Sequence, residues 1–128
     1  MAEMTIKKRP KNLDLKTIRL PLPGKVSILH RVSGAGLFLC LPVLLWLFSA
    51  SLSSPETFET FRAVVSSLPA KVVLAGLIWA YCHHFCAGIR FLLLDLNKGV
   101  EIHRARASSY VCIVLGILTA LVFAWRIW

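Results

Sequence analysis

The chain has 128 residues, 57% hydrophobic and only 16% charged, with a mean hydropathy of +0.71, which is too apolar for a soluble domain of this size. Its formal net charge of +9 would suggest a nucleic-acid partner in a soluble protein. Here the basic residues crowd the ends of apolar runs, as in membrane proteins, and nucleic acid drops out as a partner. Cys40, Cys82, Cys86 and Cys112 all lie inside apolar runs, where a thiol behaves as a small hydrophobe and not as part of a disulfide framework.

Residues 1–25 form a polar, basic arm in which Pro10, Pro21 and Pro23 discourage a continuous helix. The arm has charges throughout and no apolar h-region, so no cleavable signal peptide is expected; Glu3, Asp14 and the prolines also interrupt any amphipathic transit peptide. Residues 26–128 make up a three-span membrane domain. The first span covers about 26–52, starting near Lys25 and running through the charge-free stretch Val32 to Pro55, with Pro42 expected to kink it. Ser51 to Phe61 reads as a short connection with an interfacial helical turn. A second span covers about 68–94, between Lys71 and Arg90. After a polar loop from Asp95 to Arg106, a third covers about 107–127, closed by the interfacial anchor Trp125, Arg126 and Trp128. The fold expected is an all-α membrane protein with three transmembrane helices.

Charge sets the orientation. Residues 1–31 hold eight Lys or Arg against two acids and residues 90–106 hold four against two, whereas residues 56–71 hold two against two. The first two regions therefore belong on the cytoplasmic side and the amino terminus is inside.

The most informative stretch is HHFCAGIRFLLLD, His83 to Asp95. Ionisable groups in hydrocarbon are costly, so they are functional candidates by default. At 3.6 residues per turn His84, Gly88 and Phe91 share a face, and His83 is rotated by about 100° from His84. A flat macrocycle can lie against that face with its iron on His84, where Gly88 permits close approach. The bland alternative for His84 is an interhelical hydrogen bond. Cys82, His83, His84 and Cys86 imitate a metal cluster, but a helix splays them apart. Arg90 and Asp95, five apart, are poorly spaced for a mutual salt bridge and are expected to meet loops, headgroups or another subunit.

SILHRVSG, Ser27 to Gly34, puts Ser27, His30 and Arg31 at i, i+3 and i+4 on one helical face. Arg31 offers forked donors to a carboxylate, such as a haem propionate, or to a quinone carbonyl, and Ser27 can donate to the same polar head. Spacing leaves open that Arg31 only snorkels to headgroups and that Ser27 bonds its own helix. The chain has no dinucleotide fingerprint, no nucleophile with a partnered base and no cysteine cluster for iron and sulfur, so any electrons come from a partner.

Three motifs, RPKNLDLKTIRLPLP (Arg9 to Pro23), SILHRVSG and the His84, Gly88, Ile89, Arg90 to Asp95 segment, give the chain its resemblance to a known family. It is similar to the large cytochrome b anchor subunits of succinate dehydrogenase, respiratory complex II. The resemblance implies a helical bundle shared with a second, small anchor subunit, and His84 as one axial ligand to the iron of a haem b whose other histidine comes from that subunit. It implies His30 and Arg31 near the propionates, Ser27 and Arg31 in a site for quinone, expected to be ubiquinone, and the arm docked on an iron–sulfur subunit. FAD and the iron–sulfur clusters would reside only in the flavoprotein and iron–sulfur partner subunits, and the chain would not be an enzyme on its own. Phe91 stands where the family commonly has histidine. The implied location is a bacterial inner membrane. A fumarate reductase anchor has the same architecture, and a non-redox scaffold or transporter subunit is the alternative from another class.

Overall fold

The computed structural model describes residue 14 and residues 17–127; most of the expected arm and Trp128 lie outside the described residues. Four helices follow in order: α1 (Leu22–Ser53), α2 (Pro55–Ser66), α3 (Leu68–Asp95) and α4 (Ile102–Ile127). Three of them, α1, α3 and α4, are long and apolar enough to cross a membrane, and no strand occurs among the described residues.

The helix boundaries follow local chemistry. α1 starts at Leu22, inside the stretch expected to be arm, because Pro23 falls in the first turn, where the amide hydrogen it lacks has no helical partner anyway. The helix also continues across Pro42 to Ser53. The connection after it is more than a turn. Ser54 and Thr57 form a reciprocal capping box around Pro55, and the 12-residue α2 follows. The hydroxyl of Ser54 and the local backbone also hold the exposed Glu56 carboxyl below its ordinary range. α3 ends where Asn97 and Gly99 adopt positive φ values of 57° and 76°, left-handed conformations that glycine and asparagine tolerate best. The polar loop is shorter than expected, six residues from 96 to 101, because α4 begins at Ile102 and takes in His103 to Arg106. An exposed Glu101–Arg104 pair at 3.3 Å spans its start.

In lipid, apolar side chains gain little by leaving the solvent for one another, so helix association depends on close packing and polar contacts. The molecule follows that rule. Phe38, Leu39, Leu52 and Trp125 are among many large apolar side chains facing outward, and the buried set is small. Ser109, Cys112, Gly116 and Ala120 recur at intervals of three and four along α4 and are all buried. This stripe lets the backbone of α3 approach. At Gly116 an added Cβ would stand 3.2 Å from the Cα of His83. Val26 of α1, Ala87 of α3 and Cys112 of α4 meet in one buried cluster, which fixes the three spans relative to one another near the loop that joins α3 to α4.

Candidate functional site: two histidines on two seams

Successive residues of α3 point about 100° apart, and the two imidazoles separate accordingly. His84 turns toward α1. Its Nδ1 lies 3.0 Å from the carbonyl oxygen of His30 and 3.4 Å from the hydroxyl of Ser33, which itself donates to the same carbonyl at 3.0 Å. A carbonyl only accepts, so Nδ1 is the donor in this contact, and in the neutral ring Nε2 is the nitrogen with the lone pair. The ring stacks on that of His30, with centroids 4.1 Å apart and planes 7° from parallel. Gly34 makes the fit possible, since a Cβ there would come within 2.7 Å of His84 Cε1. Ser33 and Gly34 were not singled out from the sequence, although both stand in the SILHRVSG motif.

Gly88 differs from expectation. The imidazole of His30 lies over it, with Nε2 at 3.7 Å from the position of an added Cβ, so the surface expected to receive a macrocycle receives a side chain of the same chain. Phe91 closes the other side of His30, ring centroids 5.1 Å apart.

The backbone of His83 packs on Gly116 of α4, and its ring lies beside the Val26 backbone of α1. His83 is 1% exposed, stacks on Trp79 at 5.5 Å, and its Nε2 is buried without a hydrogen-bond partner. Among the described residues no group of three histidine, cysteine or acidic side chains converges as a metal site.

The two arginines contrast in the same way. Arg90 was expected to meet loops, headgroups or another subunit. It is buried instead, with Nε donating to the Ser108 hydroxyl at 3.0 Å and Nη2 to the Ala105 carbonyl at 3.3 Å, both on α4. Registry between helices decides this, and spacing within α3 carries no sign of it. Arg31 is exposed and Ser27 half-buried on α1, one turn apart. Neither makes a hydrogen bond or ion pair among the described residues.

Residues 5–123 match the sequence model of the family described as succinate dehydrogenase/fumarate reductase transmembrane subunit. This chain belongs to that family. Among curated relatives, it is 35% identical to the succinate dehydrogenase cytochrome b556 subunit of Paracoccus denitrificans, over 96% of this chain and 98% of the relative. It is 32% identical to the cytochrome b556 subunit of Coxiella burnetii, over 94% and 98%, and 34% identical to the mitochondrial cytochrome b560 subunit of Sus scrofa, over 88% and 68%. With three spanning helices and a transmembrane family, the chain is an all-α, multi-pass membrane protein. It is one subunit of an oxidoreductase complex.

Proposed function

We propose that this chain is the large membrane anchor of a succinate dehydrogenase, holding haem b through His84 and presenting Ser27 and Arg31 to the quinone that accepts the electrons. The observation that carries the reading is the state of His84. With Nδ1–H held by the His30 carbonyl, Nε2 is the ring atom left to bind a metal, and the hydrogen-bonded carbonyl fixes its tautomer and direction. The donor set fits a haem: one neutral imidazole here matches a site completed by a histidine of the small anchor subunit. When bound, the haem supplies a one-electron relay within the membrane. His30, stacked on His84, and Arg31, next to it in sequence, are the groups of this chain that would hold the propionates.

Ser27 and Arg31 do the binding chemistry for the quinone. A hydroxyl and a guanidinium one helical turn apart can donate to the same carbonyl head, orient it and stabilise negative charge that develops on its oxygen during reduction. Protons would arrive from the cytoplasmic side. The excess of basic residues in 1–31 and 90–106 favours a cytoplasmic amino terminus in a bacterial inner membrane. The basic arm would dock on the iron–sulfur subunit, which receives electrons from the flavoprotein subunit. Succinate oxidation is the favoured direction because the relatives named above are succinate dehydrogenase subunits.

The test uses the complex purified with its partner subunits. Reduced-minus-oxidised absorbance should show b-type haem bands. Ser27→Ala and Arg31→Leu should each lower quinone reduction by about tenfold or more, the effect of removing one donor to a buried polar group. Succinate oxidation by a soluble dye, which takes electrons upstream of this chain, should stay intact. Absence of haem bands rejects the haem reading. Equal loss of both activities would mean that the two residues hold the assembly together and do not bind quinone.

A further inference from the structure

On the side of α3 away from His84, a groove of about 450 Å³ runs between α3 and α4. Its walls are Ile89, Leu93, Leu94, Val111 and Leu115, and its mouth carries Arg90, Lys98 and Arg104. We propose that this groove holds one anionic glycerophospholipid, its phosphate at the basic mouth and an acyl chain along the apolar walls.

Dimensions and charge select this occupant. From Arg104 to Leu115 the groove follows eleven residues of α4, about 16 Å of helix rise. One leaflet of hydrocarbon is about 15 Å, half of a core of about 30 Å. The groove, from its basic mouth to its apolar end, therefore has the depth of a single leaflet, and the cations stand at the level of its headgroups. A neighbouring transmembrane helix would gain nothing from three cations at one end of its path. Arg90 adds a specific need. It is 6% exposed, its Nε and Nη2 bond only neutral oxygens, and Nη1 has no partner. A guanidinium held in low dielectric without a carboxylate is stabilised by an anion nearby. Of the two acids at this end, Asp95 does not line the groove and Glu101 is occupied with Arg104 in an exposed pair. Such pairs are weak in water, so a phosphate can take Arg104 over. Lys98 is exposed beside it, held in place by the turn through Asn97 and Gly99.

The complex with its partner subunits, delipidated in neutral detergent, is titrated with phosphatidylglycerol or phosphatidylcholine and read by native mass spectrometry. One phosphatidylglycerol should be retained in preference to phosphatidylcholine. Lys98→Gln combined with Arg104→Gln should weaken its retention by about thirtyfold, the effect of removing two cations at a membrane surface. Both substitutions lie on the exposed loop end, where folding is least at risk. Val111→Trp should fill the groove and remove the retained lipid. Equal retention of the two lipids, or unchanged retention in the double variant, would overturn the proposal. So would efficient cross-linking of a Val111→Cys variant to a partner subunit in native membranes, because protein would then cover the groove.

Discussion

The seam between α1 and α3 and the seam between α3 and α4 are built from the same parts and behave differently. Each sets a histidine of α3 against a glycine of a neighbouring helix, the ring of His84 against Gly34 and the backbone of His83 against Gly116. At Gly34 the close contact is with the ring, so the glycine makes room for an imidazole. At Gly116 it is with backbone, so the glycine makes room for a helix. His84 has one nitrogen held by a carbonyl and the other left over, whereas His83 is enclosed, its Nε2 unpaired among the described residues. The arginines divide likewise: Arg90 is bonded across the α3–α4 seam, and Arg31 is exposed on α1 with no partner among the described residues. A histidine in a membrane helix is thus ready for chemistry when one ring nitrogen is anchored and the other is accessible, and burial alone gives only packing.

The sharpest way to break that comparison is to delete each imidazole in turn. His84→Ala should lower haem affinity by about a hundredfold or more, since even changes to groups behind a ligand cost up to that much. His83→Ala should keep the b-type spectrum, at the cost of a buried cavity and lower thermal stability. Haem content in the purified complex checks both, and the reverse pattern would mean that the α3–α4 seam is the ligand-bearing one.

Substituting the glycines separates ring contact from backbone contact. In Gly34→Ala the new methyl meets Cε1 of a ring that is pinned through Nδ1. The imidazole must tilt, and haem affinity should fall by about tenfold, as when a group orienting a metal ligand is lost. In Gly116→Ala the methyl meets the α3 backbone and the helices must part by a few tenths of an ångström. The expected loss is about 1–3 kcal/mol of stability, the usual cost of overpacking, with the haem spectrum unchanged. Thermal denaturation and absorbance read on the same samples distinguish the two, and a haem defect confined to Gly116→Ala would sink the assignment of the seams.

The spans were readable from the sequence because a charge-free run longer than a bilayer core has few other uses, and the opposite directions of His83 and His84 follow from helical geometry alone. What escaped depended on registry between helices. Nothing within α3 announces that Arg90 lies level with Ser108 and Ala105, or that His84 lies level with Gly34. Gly88 misled for the same reason: a bare surface was visible in the sequence, but the identity of its cover, His30, was not. The start of α1 escaped for a local reason, since Pro23 reads as a breaker and acts as a first-turn residue. The spacing of Ser109, Cys112, Gly116 and Ala120 is visible in the sequence and marks a close-packed face.

The smallest expected effect concerns Ser33. Its hydroxyl shares the His30 carbonyl with His84 Nδ1, so two donors compete for one oxygen. Ser33→Ala leaves the imidazole as sole claimant from these two side chains. The bond that holds His84 persists, and the loss of one hydrogen bond within a helix should cost about 1 kcal/mol of stability or less. A carbonyl relieved of a competing donor accepts more strongly from Nδ1–H, which makes Nε2 a better electron donor and favours the oxidised iron. The haem midpoint potential should therefore fall, by about 20 mV for a change of roughly 0.5 kcal/mol in a one-electron couple, with haem content unchanged. A redox titration of the variant complex measures the shift. If haem is lost as in His84→Ala, the serine hydroxyl and not the backbone carbonyl holds the ring, and the tautomer assigned to His84 loses its support. A rise in potential would mean that the hydroxyl had been strengthening the imidazole as an acceptor at 3.4 Å, which reverses the roles of the two oxygens.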